Sequence, residues 1–250
     1  MEKIIVTKEE YEAIIEHSKA ASPFWDKVGI RFLESFEVMP NFKLFVAEKK
    51  LYLGKTLDVA CGAGRNLLYL LERGIDVFGF DISKESILYA QKEAGKKNKN
   101  FQAEERIQNG TMYDLRGLYA PVSFDTVIAC FALYENKYKG FLVALNELTR
   151  CLKNGGMLYC TMRTEAKIDP EKVKEIEKGK GYITLLHKYN KLIRVYFQSD
   201  SFVELVENMG FSSIKCGPEF DYGARKNSKA REFIFKRDSS KKKLEIIVER

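Results

Sequence analysis

The stretch Lys55-Thr56-Leu57-Asp58-Val59-Ala60-Cys61-Gly62-Ala63-Gly64-Arg65-Asn66 constrains the chain more than any other. An apolar run ends in an acid and a Gly-x-Gly turn, and a leucine-rich helical pattern follows at once. Strand, glycine turn and helix in this order bring backbone N–H groups and a helix N-terminus up to a bound nucleotide-like ligand. A sheet of alternating strands and helices is expected downstream of it, and a cover upstream.

That alternation is regular from Thr56 onward. Thr56–Ala60 predicts a strand and Asn66–Arg73 a helix, closed by Gly74. Val77–Phe80 predicts a second strand stopping at Asp81, with Ser83 capping a helix that runs to Gly95. A weaker strand is expected at Arg106–Gln108. Phe124–Cys130 is a near-continuous apolar strand of the kind buried on both faces. Tyr138–Leu152 carries Leu142, Leu145, Leu148 and Leu152 at helical spacing. Asn154-Gly155-Gly156 should end that helix before a strand at Met157–Met162. Ser201–Met209 reads as the last helix. Phe211–Cys216, Glu232–Lys236 and Leu244–Val248 are spaced too closely for helices between them, which predicts an antiparallel end to the sheet.

Two regions fall outside the alternation. Residues 1–50 read as a helical cap, with Thr7 and Glu10 as a capping box, Pro23 as an interruption, and an aromatic-rich stretch from Phe24 and Trp25 to Phe36. A third short piece, Phe42–Lys50, leads into the glycine strand. These aromatics either pack on the sheet or, through Tyr11 or Trp25, cover the ligand site as a lid. The second region is an insertion over 163–200 in a domain spanning 51–250. It comprises a charged helical run, Asp169–Lys180, then an aromatic stretch from Tyr182 to Phe197.

Composition excludes several classes. No apolar run approaches the roughly 20 residues of a membrane-spanning helix. The acidic start is a poor signal peptide, and five cysteines without a C-x-x-C pair point to reduced thiols and a cytoplasmic location. Two distant histidines, His17 and His187, make a zinc cluster improbable, so no metal is expected. Lys and Arg exceed Asp and Glu by 42 to 35, and the segment Arg225–Lys243 alone holds nine basic against two acidic residues. Such a segment could meet nucleic acid. Solvated lysines around a surface loop are the favoured reading.

A dinucleotide fingerprint has G-x-G-x-x-G, and Leu67 stands where its third glycine would fall, which weakens that reading and leaves it as an alternative. The run Leu57–Gly64 instead resembles the first motif of class I S-adenosylmethionine-dependent methyltransferases. Further matches follow in order: Asp81, Asn109-Gly110-Thr111-Met112, Phe124-Asp125-Thr126-Val127-Ile128, and Glu147-Leu148-x-Arg150-x-Leu152-Lys153-x-Gly155-Gly156. The resemblance covers residues 54–163. It implies a doubly wound α/β fold with a seven-stranded, mostly parallel sheet, an antiparallel C-terminal strand, a helical N-terminal lid and a substrate-cover insertion.

The same resemblance implies S-adenosyl-L-methionine as cofactor, bound by Asp58, Ala60, Cys61, Gly62, Gly64, Asp81, Ile82, Thr111, Met112 and Cys130. Asp58 resembles the acid that engages the donor's amino group or orients the glycine loop. Gly62 and Gly64 would let the backbone approach the methionine moiety or ribose. Asp81 would accept from the ribose hydroxyls, Met112 would stack on the adenine, and Cys130 would line the floor under the sulfonium. Ala60 replaces a frequent glycine, and Thr111 an aspartate that usually receives the adenine amine. Strand four ends in Cys130-Phe131-Ala132-Leu133 and lacks the Asn/Asp-Pro-Pro-aromatic run that holds planar amines, which argues against adenine- and glutamine-type N-methylation.

The acceptor is expected to be a small molecule methylated on oxygen, nitrogen or carbon, with the enzyme a monomer or homodimer. His187 in the insertion is the expected general base, with Tyr134 a second candidate catalytic residue. The alternatives are an RNA or protein methyltransferase using the basic segment 225–243, and a non-catalytic module that binds the donor.

Overall fold

The computed structural model describes residues 1–35, 37–47, 53–163, 170–221 and 229–250. Phe36, the end of the third helical piece at 48–50, the start of the insertion at 164–169 and residues 225–228 of the basic segment lie outside them, as do the side chains of Phe32 and Leu33.

The strands in chain order are β1 (Glu2–Val6), β2 (Lys55–Val59), β3 (Asp76–Asp81), β4 (Ile107–Asn109), β5 (Phe124–Cys130), β6 (Leu152–Arg163), β7 (Val173–Gly179), β8 (Tyr182–His187), β9 (Ile193–Phe197), β10 (Phe211–Cys216), β11 (Phe220–Asp221), β12 (Lys229–Arg237) and β13 (Leu244–Val248). The helices are α1 (Lys8–Ser35), α2 (Pro40–Ala47), α3 (Arg65–Leu71), α4 (Lys84–Lys97), α5 (Ala103–Arg106), α6 (Tyr138–Cys151) and α7 (Ser199–Asn208).

The main sheet has the order β10-β12-β6-β5-β2-β3-β4, with β11 also paired to β12. β2, β3, β4, β5 and β6 pair in parallel, while β12 runs antiparallel to both β6 and β10. This is the expected seven-stranded, mostly parallel sheet with an antiparallel strand from the C-terminal part. The chain turns from β4 back across β2 to β5, so the strand order reverses beside β2, where open α/β sheets place their ligand crevice.

Two apolar layers sandwich the sheet. α2, α3 and α4 contribute Phe42, Leu67, Leu70, Ile87 and Ala90 to one. α6 and α7 contribute Phe141, Leu145, Leu148, Phe202 and Val206 to the other, together with Val6 and Ile246 from β1 and β13.

Five expectations are corrected. Residues 1–50 are not all helical, because β1 pairs in parallel with β13, from Glu2↔Leu244 to Val6↔Val248. β13 therefore leaves the main sheet that it was expected to extend. Its partner lies at the other end of the chain, where no local pattern reveals it.

Pro23 does not interrupt α1, which continues to Ser35. Proline costs a helix one hydrogen bond and a steric clash, and here tertiary anchors outweigh that cost. They are the hydroxyls of Tyr11, Ser18 and Ser22, which bond across to Tyr113, Thr111 and Ile82.

The run Asp169–Lys180 is strand, not helix, over 173–179. β7, β8 and β9 form a separate antiparallel three-stranded sheet whose first hairpin turns at Lys180-Gly181, with Gly181 at φ +77°. That positive φ suits glycine and sets a tight turn, and the β-branched and aromatic run after it follows the strand period. Finally, Asn154-Gly155-Gly156 lies inside β6 and does not precede it. The pairing of β5 with β6 shifts register between Phe124 and Thr126, which absorbs the glycines.

Candidate active site

The glycine turn is strapped to the neighbouring strand β3. Cys61 N–H donates to Phe80 O at 2.9 Å, and Gly62 N–H donates to Asp81 Oδ2 at 2.9 Å. Ser83 N–H donates to the other Asp81 oxygen at 2.8 Å, and Ser83 caps α4 through Ser86 N–H. Asp81 thus ties the turn to the start of α4. Burial pushes its carboxyl above the usual range, and the Ser83 and Gly62 N–H groups oppose that shift.

The turn itself holds a left-handed backbone at Ala60 (φ +50°), Gly62 (φ +56°) and Gly64 (φ +93°). Alanine is disfavoured in this region, so Ala60 holds a strained backbone. A Cβ on Gly62 would meet no atom, because the position faces open space. A Cβ on Gly64 would crowd Ala90 and Leu68 at 3.2 Å. Gly64 does not line the cavity, so it serves the packing of α3 and α4 where contact with the methionine moiety or ribose was expected. The close helix–strand approach that a third glycine would provide comes from Gly79 on β3, where a Cβ would lie 2.6 Å from Leu67 Cδ1.

A cavity of about 620 Å³ opens over the carboxyl ends of β2, β3 and β5, beneath α1. Of the residues singled out in the sequence, Asp58, Ala60, Cys61, Gly62, Asp81, Ile82, Thr111, Met112, Cys130 and Tyr134 line it. Asp58 is 2% exposed and its Oδ2 has no hydrogen-bond partner. Burial raises its pKa to about 7, with the Arg65 guanidinium pulling the other way. Burial also pushes the Cys130 and Cys61 thiols well above their ordinary value. An unpaired buried carboxylate oxygen beside an open glycine is the complement of a cationic amine attached to a larger group. The site therefore fits a donor carrying an amino group and a nucleoside.

His187 does not line the cavity. It sits on β8 with Nε2 2.8 Å from Tyr196 Oη, and burial followed by Arg194 and Arg163 lowers its pKa to about 4. The chain's other histidine, His17 on α1, does line the cavity, half-buried. Burial depresses its pKa and Glu135 opposes that. Trp25 and Phe24 of α1 line the same space, while Tyr11 does not.

Sequence reasoning missed Arg194, which lines the same cavity as Glu135. Arg194 on β9 donates through Nε to Glu135 Oε1 at 2.8 Å, and both side chains are nearly out of solvent. Arg163, from the end of β6, lies over the Tyr134 ring at 5.2 Å. The β7–β9 sheet is held here by Val195 N–H donating to Tyr134 O at 2.9 Å and by the Tyr182–Tyr138 ring stack, 4.1 Å between centroids. A tyrosine–glutamate pair directly after a buried strand was the available signal for this group, but its arginine partner lies 59 residues away.

Among the described residues, no cluster of His, Cys, Asp and Glu is placed to hold a metal ion, and no helix is long and apolar enough to cross a membrane. The five cysteines are free thiols.

Residues 57–160 match the family model described as a methyltransferase domain. A putative methyltransferase, YqeM, of Bacillus subtilis is 29% identical over 116 residues, covering 46% of this chain and 44% of that protein. A ubiquinone biosynthesis O-methyltransferase of Idiomarina loihiensis is 28% identical over 150 residues, covering 59% and 58%. The chain thus spans about half the length of the curated relatives it matches. Among solved structures, the Burkholderia thailandensis 1,6-didemethyltoxoflavin-N1-methyltransferase, with 1,6-didemethyltoxoflavin and S-adenosylhomocysteine bound, superposes with a TM-score of 0.63 at 16% identity. That likeness covers 92% of this chain and 90% of that one. Residues 57–160 are thus similar to a methyltransferase domain, and the chain shares the fold of that methyltransferase structure.

Proposed function

We propose that the chain is an S-adenosylmethionine-dependent methyltransferase acting on a small-molecule acceptor. One observation carries the reading: the buried Asp58 Oδ2 without a hydrogen-bond partner, in the same cavity as the open face of Gly62 and the Asp81 carboxylate. In this reading Asp58 holds the donor's amino group and Arg65, beside it, the donor's carboxylate. Asp81 accepts from the ribose hydroxyls with lone pairs its two backbone donors leave free. Thr111 and Met112 meet the adenine, and Ala60, Cys61, Ile82 and Cys130 close the walls.

When bound, S-adenosylmethionine supplies a methyl group already activated on a sulfonium, so the protein's task is alignment and exclusion of water. Where the acceptor must lose a proton, His17 is the base that faces the cavity, in the role first expected of His187. Tyr134 borders the acceptor end, buried under Arg163. The cavity, lined by α1 and by Arg194 of β9, has a volume of about 620 Å³, which suits a small-molecule acceptor and favours this reading over an RNA or protein acceptor. Free thiols accord with a cytoplasmic enzyme, working as a monomer or homodimer.

Calorimetry tests the donor half of the proposal. S-adenosylhomocysteine should bind in the micromolar range, and Asp81→Ala should weaken it at least tenfold, about 1.4 kcal/mol. Binding of NADH in its place, or of neither ligand, would overturn the assignment.

A further inference from the structure

The turn after β5 is held by bonds from distant elements. Tyr134 O accepts Val195 N–H of β9 at 2.9 Å, and Glu135 O accepts the Tyr113 hydroxyl at 3.0 Å. The Glu135 carboxylate in turn accepts from Arg194 Nε of β9 at 2.8 Å. Phe131 enters the turn at φ +57°, in the left-handed region that is costly for any residue with a side chain. A backbone strained in this way keeps its place only where its surroundings over-determine it. The outside bonds therefore decide where the turn sits.

Tyr113 itself belongs to the loop after β4, next to Thr111 and Met112, and is 2% exposed. Its carbonyl accepts the Tyr11 hydroxyl of α1 at 3.4 Å. Burial pushes its phenol above the ordinary value, so the hydroxyl stays a donor through the neutral range. One hydroxyl thus joins two loops that line the same cavity, and the second loop is bonded to β9 at two points.

We propose that Tyr113 is a positioning residue. A nucleoside settling against Thr111 and Met112 fixes the loop after β4, and the Tyr113 hydroxyl passes that order to the Tyr134–Glu135 turn and on to β9. Methyl transfer depends on the alignment of acceptor and methyl group, and Tyr134, Glu135 and Arg194 line the cavity in which that alignment is set. Binding of the donor thereby completes the cavity wall before transfer. The inference rests on the reading above, that the nucleoside meets Thr111 and Met112, and adds the route by which the rest of the cavity senses it.

Hydrogen exchange on the full chain, with and without saturating S-adenosylhomocysteine, tests this route. In the parent the ligand should slow amide exchange in segments 111–115 and 193–197 by roughly fivefold or more. Tyr113→Phe keeps the ring and removes the hydroxyl. Its affinity for S-adenosylhomocysteine should stay within about threefold of the parent. Segment 111–115 should still be protected in it, while the protection of 193–197 should be largely lost. Tyr11→Phe breaks the bond between α1 and the same loop but leaves the Tyr113 hydroxyl in place, so it should keep the parent's protection of β9. Protection of 193–197 that survives in Tyr113→Phe, or that disappears equally in Tyr11→Phe, overturns the inference. So does a parent in which the ligand protects 111–115 and not 193–197, an outcome that needs no variant to fold. Failure of the parent to bind S-adenosylhomocysteine, or binding that leaves 111–115 unprotected, is the separate failure of the donor reading.

Discussion

Ser18 Oγ on α1 lies 3.1 Å from Thr111 Oγ1, in the loop that follows β4. Together with Ser22 Oγ donating to Ile82 O at 3.1 Å, it pins the helix above the cavity to the two loops assigned to the nucleoside. Closure of α1 and order in those loops are therefore coupled. Ser18→Ala should lose one hydrogen bond, about 1 kcal/mol, and α1 should open roughly fivefold more often. Amide hydrogen exchange across Lys8–Ser35 reads this directly, and S-adenosylhomocysteine should slow exchange in both proteins. Equal α1 exchange rates in parent and variant would mean that the contact does not hold the lid.

Gly29 sets how closely α1 approaches α4. A Cβ there would overlap the Ser86 hydroxyl, which is engaged by Ser83 Oγ at 2.9 Å in the α4 cap. Gly29→Ala should therefore destabilise the protein by about 1–3 kcal/mol, despite alanine's better helix propensity. Ser86→Ala removes the colliding oxygen, so the double variant should recover most of the loss. Thermal melts of the four proteins measure the coupling. Strictly additive effects would place the strain elsewhere.

The central sheet was legible because its signals are local. The Phe124–Cys130 strand matches residue for residue, since a strand buried on both faces reads as one apolar run. The Ser83 cap and the Thr7–Glu10 box are also as expected, because each needs only three residues of context. What failed depended on distant partners. Ile4, Ile5 and Val6 form a strand only because residues 246–248 lie beside them. Which histidine faces the cavity depends on where α1 and β8 dock, and no pattern around His17 or His187 encodes that. Arg194 is one basic residue among 42 in the sequence until β9 turns it onto Glu135.

The exposure of His17 to the cavity gives a pH signature. Burial lowers its pKa from 6.5, Glu135 across the cavity raises it and Lys137 lowers it, with a net downward shift. The neutral imidazole, which is the form able to accept a proton, therefore predominates at neutral pH. With an acceptor that must be deprotonated, kcat should rise with pH along a limb centred below 6.5 and level off above it. His17→Gln should remove that limb and lower kcat about a hundredfold. S-adenosylhomocysteine affinity should be little changed. A limb that persists in His17→Gln would assign the base elsewhere.

Asp58 carries a stability cost that donor binding should relieve. Its carboxyl has a pKa near 3.8 in the unfolded chain and about 7 in the folded one, chiefly through burial. The folded state thus holds its proton more tightly. The favourable contribution is fully present below pH 3.8 and is lost as pH rises to about 7. Asp58→Asn, which cannot ionise, should be more stable than the parent at pH 7 and above, and the difference should close toward pH 4. The same variant should bind S-adenosylhomocysteine more weakly, because the amide cannot pair with the ligand's ammonium. In the parent, that ammonium should draw the carboxyl back to its ionised form. Near pH 7 binding should then release a fraction of a proton, seen as a dependence of the calorimetric enthalpy on the buffer's ionisation enthalpy. The dependence should be absent in Asp58→Asn. Equal proton release by parent and variant would remove Asp58 from the amine site and leave Asp81 to explain the affinity alone.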